Sequence, residues 1–231
     1  MAHGKKYRAA VKLLESGKQY SLSEAVSLLR KTSTVKFDAS CEVHLNLAVD
    51  PKQADQMVRG TVVLPHGTGK DVRVIAFVTE ANEKVAKEAG ASEAGLETLI
   101  QKIEKGWLDF DVAVAEPAAM KSLGKVAKIL GQKGLMPNPK AGTVNPDVKK
   151  TIGEIKKGKV EFRVDKLSNT HNVFGKVSFD EKILEENLRA FVSAVVGAKP
   201  VSVKGTFVNS ITLATTMGPG IHLDVNGTLK G

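Results

Sequence analysis

The sequence predicts an α+β domain, an antiparallel sheet packed with helices, assembled from both ends of the chain, with an α/β domain inserted between them. Three observations carry this. Both ends alternate apolar and polar residues with period two, the signature of half-buried strands. The middle has short, nearly continuous apolar runs between helical stretches, as buried parallel strands do. Neither end alone offers enough strands for a stable sheet, so the two ends combine. The first domain spans residues 1–66 and 159–231 and the insert 67–158, with Gly67 and Gly158 as the hinge.

Along the chain, Tyr7 to Glu15 reads as a short basic helix. The next helix opens at Ser21, where Ser21-x-x-Glu24 is a capping box and Leu22, Val26 and Leu29 form the apolar stripe. The period then changes: Cys41, Val43, Leu45, Leu47 and Val49 alternate with Glu42, His44, Asn46 and Ala48. Asp50-Pro51 ends that strand, and Val58 to Leu64 reads as another, stopped by Pro65-His66-Gly67. In the insert, Val72 to Val78 and Asp111 to Ala115 are the buried strands. Its helices lie on Val85, Ala86 and Ala89, on Leu96, Leu99, Ile100 and Ile103, and on Met120, Leu123, Ala127 and Leu130. A loop from Gly131 to Thr143 leads to a last helix, Asp147 to Lys157. Alternation returns in Val160, Phe162 and Val164, and Val173 to Phe179 is a further strand. Ile183, Leu184, Asn187, Leu188, Phe191, Val192, Val195 and Val196 mark an amphipathic helix. Phe207 to Leu213 alternates again, and Ile221, Leu223 and Val225 close the chain.

Composition narrows the function. The 231 residues carry 34 Lys and Arg against 25 Asp and Glu, a net +9, which points to an anionic partner, nucleic acid before an acidic membrane. No apolar stretch approaches the ~18 residues of a spanning helix. No signal core follows the basic start, because Lys12 and Glu15 interrupt it. The single cysteine, Cys41, excludes an internal disulfide framework and a Cys-based zinc site. A cytoplasmic protein without cofactor, metal or membrane partner is expected. With eight Phe, two Tyr and one Trp, few rings remain for stacking splayed bases, so structured helices and backbone are the expected targets.

The catalytic signals are weak. Gly67-Thr68-Gly69-Lys70 resembles a fragment of a phosphate loop, but Leu64 stands where the first glycine belongs and Asp71 replaces the hydroxyl. The histidines at 3, 44, 66, 171 and 222 lack metalloprotease spacing, and no nucleophile elbow exists. Lys204-Gly205-Thr206-Phe207-Val208 echoes an RNA-recognition signature without its spacing or its other aromatics, and Phe207 reads as core. The rival functions are a nucleotide-dependent enzyme using the insert and a DNA-bending protein.

Three constellations remain. From Pro117 to Pro146 run five lysines, Lys121, Lys125, Lys128, Lys133 and Lys140, and no acid. On a helix the first three share one face, either a solvated surface or one turned toward a polyanion. The stretch Ser210 to Gly220 is uncharged, and strand parity puts Val208, Ser210, Thr212, Ala214 and Thr216 on one face. It reads equally as a hydroxyl-rich surface for the shallow groove of an RNA helix and as a hairpin turn. Lys36-Phe37-Asp38-Ala39-Ser40 enters the first strand, with Ser40 sharing the polar face of Glu42 and His44 and Phe37 reading as a core plug.

Together these segments resemble the bacterial ribosomal protein L-one family over essentially the whole chain. The resemblance rests on His3-Gly4-Lys5-Lys6-Tyr7-Arg8, Lys36-Phe37-Asp38, Val58-Arg59-Gly60-Thr61-Val62, Leu64-Pro65-His66-Gly67 and Gly106-Trp107. It continues in Gly134-Leu-Met-Pro-Asn-Pro-Lys-Ala-Gly-Thr143, Lys204-Gly205-Thr206-Phe207 and Thr215-Thr-Met-Gly-Pro219. It implies a discontinuous RNA-binding domain and an inserted Rossmann-like domain that binds no dinucleotide. The implied partners are the stalk region of large-subunit ribosomal RNA, exit-site transfer RNA and the protein's own operon messenger, whose translation it represses, with the free protein a monomer. Carried over by motif, the ribosomal-RNA contacts are Lys36, Phe37, Ser40, Ser210, Thr216, Met217 and Gly218; Ser40 replaces the threonine of similar sequences but keeps the hydroxyl.

Overall fold

The computed structural model describes residues 4–230; His3 lies outside them. The chain divides into two compact units, Met1–Gly69 with Val160–Gly231, and Lys70–Lys159.

In the leading segment, α1 (Lys5–Val11) stops short of the expected Glu15. Tighter turns follow it, Leu13 N bonding Ala10 O and Leu14 N bonding Val11 O. α2 (Leu22–Thr32) starts where expected, with the Ser21 N–H and hydroxyl both donating to Glu24 Oε2 at 3.2 and 2.9 Å. β1 (Ser40–Leu47) alternates without exception, burying Cys41, Val43, Leu45 and Leu47 and turning Ser40, Glu42, His44 and Asn46 outward. β2 (Arg59–Val63) follows.

The second unit begins with β3 (Val74–Phe77), buried at all four residues. α3 (Glu80–Glu88), β4 (Glu93–Gly95), α4 (Glu97–Glu104) and β5 (Val112–Ala115) come next. The three strands form a parallel sheet in the order β4-β3-β5, with Ile75 opposite both Glu93 and Ala113. The single helix expected on Met120 to Leu130 is two pieces. A 3-10 helix covers Ala119–Lys125, and α5 (Ala127–Lys133) starts after a break at Val126, φ −104° and ψ 2°. Gly124 lies just before the break, and glycine weakens an α turn. α6 (Val148–Lys156) is N-capped by Asp147, which accepts from Lys150 N at 3.0 Å.

β6 (Lys159–Arg163), β7 (Asn169–Lys176), α7 (Glu181–Gly197), β8 (Val208–Thr215), β9 (Ile221–Leu223) and α8 (Val225–Lys230) complete the chain. β7 starts four residues before the expected Val173 because it pairs with β1, from Asn46–Asn169 to Ser40–Lys176. Val225 opens a helix instead of ending a strand, since Asp224 accepts the N–H groups of Asn226 and Gly227.

The antiparallel sheet runs β7-β1-β8-β9, and β2 and β6 pair separately. α2 and α7 cover its inner face, joining Val26, Leu29, Leu188, Phe191, Ile211 and Leu213 in one core. At β2, a Cβ on Gly60 would lie 2.6 Å from the Phe162 ring, so only glycine lets that ring pack in. Phe162 in turn meets Phe191 edge-on at 5.8 Å.

The loop at Gly67 is tied into this unit by a side chain of the core. Asn187, fully buried, accepts from His66 N at 3.1 Å and donates to Gly67 O and Phe174 O at 2.8 and 2.9 Å. Gly69, at φ 73°, abuts the Lys176 and Phe179 side chains. Gly67 therefore lies two residues inside the first unit, and Gly158, buried at φ 97°, lies just before the second crossing.

Candidate nucleic-acid interface

The start of β1 and the end of β8 meet at one end of the sheet. Ser40 O accepts from Thr216 N at 3.0 Å, and Ser40 N donates to the Thr216 hydroxyl at 3.1 Å, so this side chain holds the strand entry. Lys176 Nζ donates to the Ser40 hydroxyl at 3.0 Å, a contact that sequence reading missed because it depends on the β1–β7 register. Asp38 pins the approach to β1 by accepting from Ser178 N and its hydroxyl at 3.1 and 2.9 Å.

This framework presents two large apolar side chains to solvent. Phe37, read as a core plug, is instead 59% exposed, and Met217 is 75% exposed. Met217 sits in the turn closed by Gly218 N to Thr215 O at 2.7 Å, at φ 66°. That left-handed slot normally takes glycine or asparagine, and a bulky residue there costs of order 1 kcal/mol. Gly218 fits the turn by steric necessity, since a Cβ there would overlap the Thr215 hydroxyl.

Strand parity needs one correction. The β1–β8 register shifts between Asn46 and Leu47, whose partners are Ser210 and Val208, leaving Asn209 as the extra residue of a bulge. Val208 is therefore buried with Ile211 and Leu213, while Ser210, Thr212 and Ala214 face outward. Beside them the outer face is a mesh of side-chain bonds. Asn209 donates to Asn46 and Asn46 to Asn169, at 2.9 and 2.8 Å; His44 and His171 touch through their Nδ1 atoms at 2.9 Å; Thr212 meets His222 at 3.1 Å.

The lysines of the insert form no single helical face. Lys121 and Lys125 lie on the 3-10 segment, where residues four apart point about 120° apart, and Lys128 lies on α5 beyond the break. Lys133 ends α5 and Lys140 sits in a 3-10 turn N-capped by Asn138. All five are exposed.

Other chemistries find little footing. In a parallel α/β sheet, ligands settle where the strand order reverses, here at the carboxyl ends of β3 and β5. The buried Glu116 carboxyl fills that place, accepting from Thr79 N and the Thr79 hydroxyl at 3.1 Å each and from Asn82 at 2.5 Å. It stands at the start of α3, where a phosphate would otherwise dock. Burial pushes the Cys41 thiol up to about 12, which removes it as a nucleophile. Among the described residues no cluster of three ligating side chains suits a metal, and no helix is long and apolar enough to cross a membrane.

Comparison with known proteins bears on this surface. The sequence profile of the "Ribosomal protein L1p/L10e family" matches residues 29–219. "Large ribosomal subunit protein uL1" of Lactobacillus delbrueckii subsp. bulgaricus is 51% identical over 222 residues, 96% of each chain. The protein of the same name from Salinispora tropica is 51% identical over 226 residues, 98% of this chain and 95% of its own.

Proposed function

The chain belongs to the ribosomal protein L1p/L10e family, and from that premise we propose that it is a non-enzymatic structural constituent of the large ribosomal subunit, binding the stalk region of its RNA through the tip of the antiparallel sheet. The observation that carries the reading is the strained, exposed Met217 at the sheet end where Thr216 bonds Ser40, with exposed Phe37 three residues before Ser40 and the Ser210 hydroxyl further along the outer face, opposite Asn46. Apolar side chains and hydroxyls suit the wide, shallow groove of an RNA helix, with its sugars and 2′-OH groups. Lys36 adds a phosphate contact at the edge. The net +9 draws RNA in, but only +3 of it lies within 67–158 (15 Lys and Arg against 12 Asp and Glu), leaving +6 on the flanks.

On this reading Lys70–Lys159 is the Rossmann-like insert, with Gly67 and Gly158 flanking the hinge segments. Its exposed lysines at 121, 125, 128, 133 and 140 face exit-site transfer RNA and assist its release. The same tip binds a similar fold in the protein's own operon messenger and represses its translation. The free protein is a monomer, and its place is the ribosome in the cytoplasm.

Thr216→Val tests the tip. Removing the hydroxyl orphans Ser40 N, which costs about 1 kcal/mol of stability, and lowers affinity for a stalk RNA fragment about tenfold. The salt dependence should not change, because no phosphate contact is lost. Unaltered affinity in filter binding would refute the assignment. Charge reversal at Lys121 and Lys125, which belong to the other unit, should leave affinity for the same fragment within about twofold. A large loss would move the interface to the insert.

A further inference from the structure

We propose that the RNA-reading surface continues from the tip across the outer face of the sheet, where the His44–His171 pair takes up one proton as the RNA backbone docks. The proposal rests on the RNA-binding reading above and deepens it.

The geometry is a chain of four groups. Asp165 Oδ2 lies 3.4 Å from His171 Nε2, the two Nδ1 atoms are 2.9 Å apart, and His44 Nε2 lies 3.9 Å from Glu42 Oε2. The central gap, at hydrogen-bond distance, needs a hydrogen in it because two facing ring lone pairs repel; the outer two are ion-pair distances, favourable once the ring nitrogen facing the carboxylate is protonated. Two neutral imidazoles carry two N–H hydrogens between them. One gap is therefore always unfilled until a third proton turns the pair into a shared imidazolium.

Glu42 is on the same strand as His44, and β7 contributes His171, with Asp165 in the turn before it. On the other side β8 places the neutral Thr212 opposite His44, and Thr212 leads to His222 on β9. The nearest further pair, Asn46 and Asn169, is uncharged. Burial and the adjacent imidazole hold His44 below its usual value, against the pull of Glu42. Phosphates arriving on this face raise the proton affinity of the pair, so binding draws the proton in.

Continuity places RNA here. Ser40, Glu42 and His44 alternate outward on β1, and Ser210 and Thr212 do so on β8, with Asn46 opposite Ser210 and His44 opposite Thr212. An RNA helix seated on Ser40 and Ser210 therefore passes over the imidazole pair.

The test is titration of the full chain with a stalk-region ribosomal RNA transcript at fixed salt from pH 8.0 to 5.5. Calorimetry in buffers of different ionisation enthalpy then counts protons, and circular dichroism confirms the fold at each pH. Affinity should rise about three- to tenfold per pH unit as pH falls through the uptake window, bounded by one proton. The dependence should vanish in His44→Gln and in His171→Gln and survive in His222→Gln. A flat profile in the wild type, no proton uptake, or a slope that persists in both variants overturns the proposal. Failure to bind the transcript at any pH overturns the RNA-binding reading and this inference with it, a result distinct from flat but tight binding.

Discussion

Asn187→Leu is expected to lower the stability of the first unit by about 3–5 kcal/mol, the largest single effect in the molecule outside its apolar core. The side chain is fully buried and satisfies three backbone groups at once: His66 N, Gly67 O and Phe174 O. Leucine keeps the same branched four-heavy-atom skeleton with larger methyl ends, so no cavity confuses the result. What is lost is three hydrogen bonds, each leaving a desolvated polar group at about 1–3 kcal/mol. Guanidinium unfolding followed by tyrosine fluorescence reads the first unit, since Tyr7 and Tyr20 lie there and Trp107 lies in the second. A loss below about 1 kcal/mol would mean that the orphaned groups reach water, contrary to their burial.

Gly218→Ala is expected to reduce affinity for the stalk RNA fragment by about 30- to 1000-fold, the range of a lost binding hot spot of about 2–4 kcal/mol. The added methyl would overlap the Thr215 hydroxyl and stand 3.2 Å from the Thr215 carbonyl, so the turn must open. Thr215, the last residue of β8, is buried, so the displacement falls on half-buried Thr216 and exposed Met217. Thr216 is held by its two bonds to Ser40, and Met217 follows it in the same turn. Global unfolding should scarcely change, because the turn lies outside the core, and binding with near-native affinity would show that the tip is not the contact.

Most of the fold was legible because strong periodicity writes itself locally. The alternation in β1, the Ser21 and Glu24 cap and the long stripe of α7 all appear where the residues place them. What escaped was set by distant partners. β4 is three residues long, too short for any period to show, and β7 begins where β1 can pair with it. The helix through Met120 broke at a point that only a weak glycine signal marks. The site divides in the same way. Its hydroxyls and Met217 stand out by residue type, but the burial of Val208 depends on a bulge, the exposure of Phe37 on the Asp38 to Ser178 anchor, and the His44–His171 contact on cross-strand register. Glu116 looked like one more acid until folding put it at the head of α3.

The left-handed conformation of Met217 sets two selection pressures against each other. Glycine at that position would relax the backbone and, by about 1 kcal/mol, make the folded state hardier. It would also erase the apolar finger that the turn exists to display. On the proposed RNA-binding reading, a library screened for heat resistance alone would drift toward glycine at 217, enriching proteins that keep their shape and lose their grip on RNA. Thermal tolerance and recognition pull against each other at this one residue, so a screen meant to improve both must score them together.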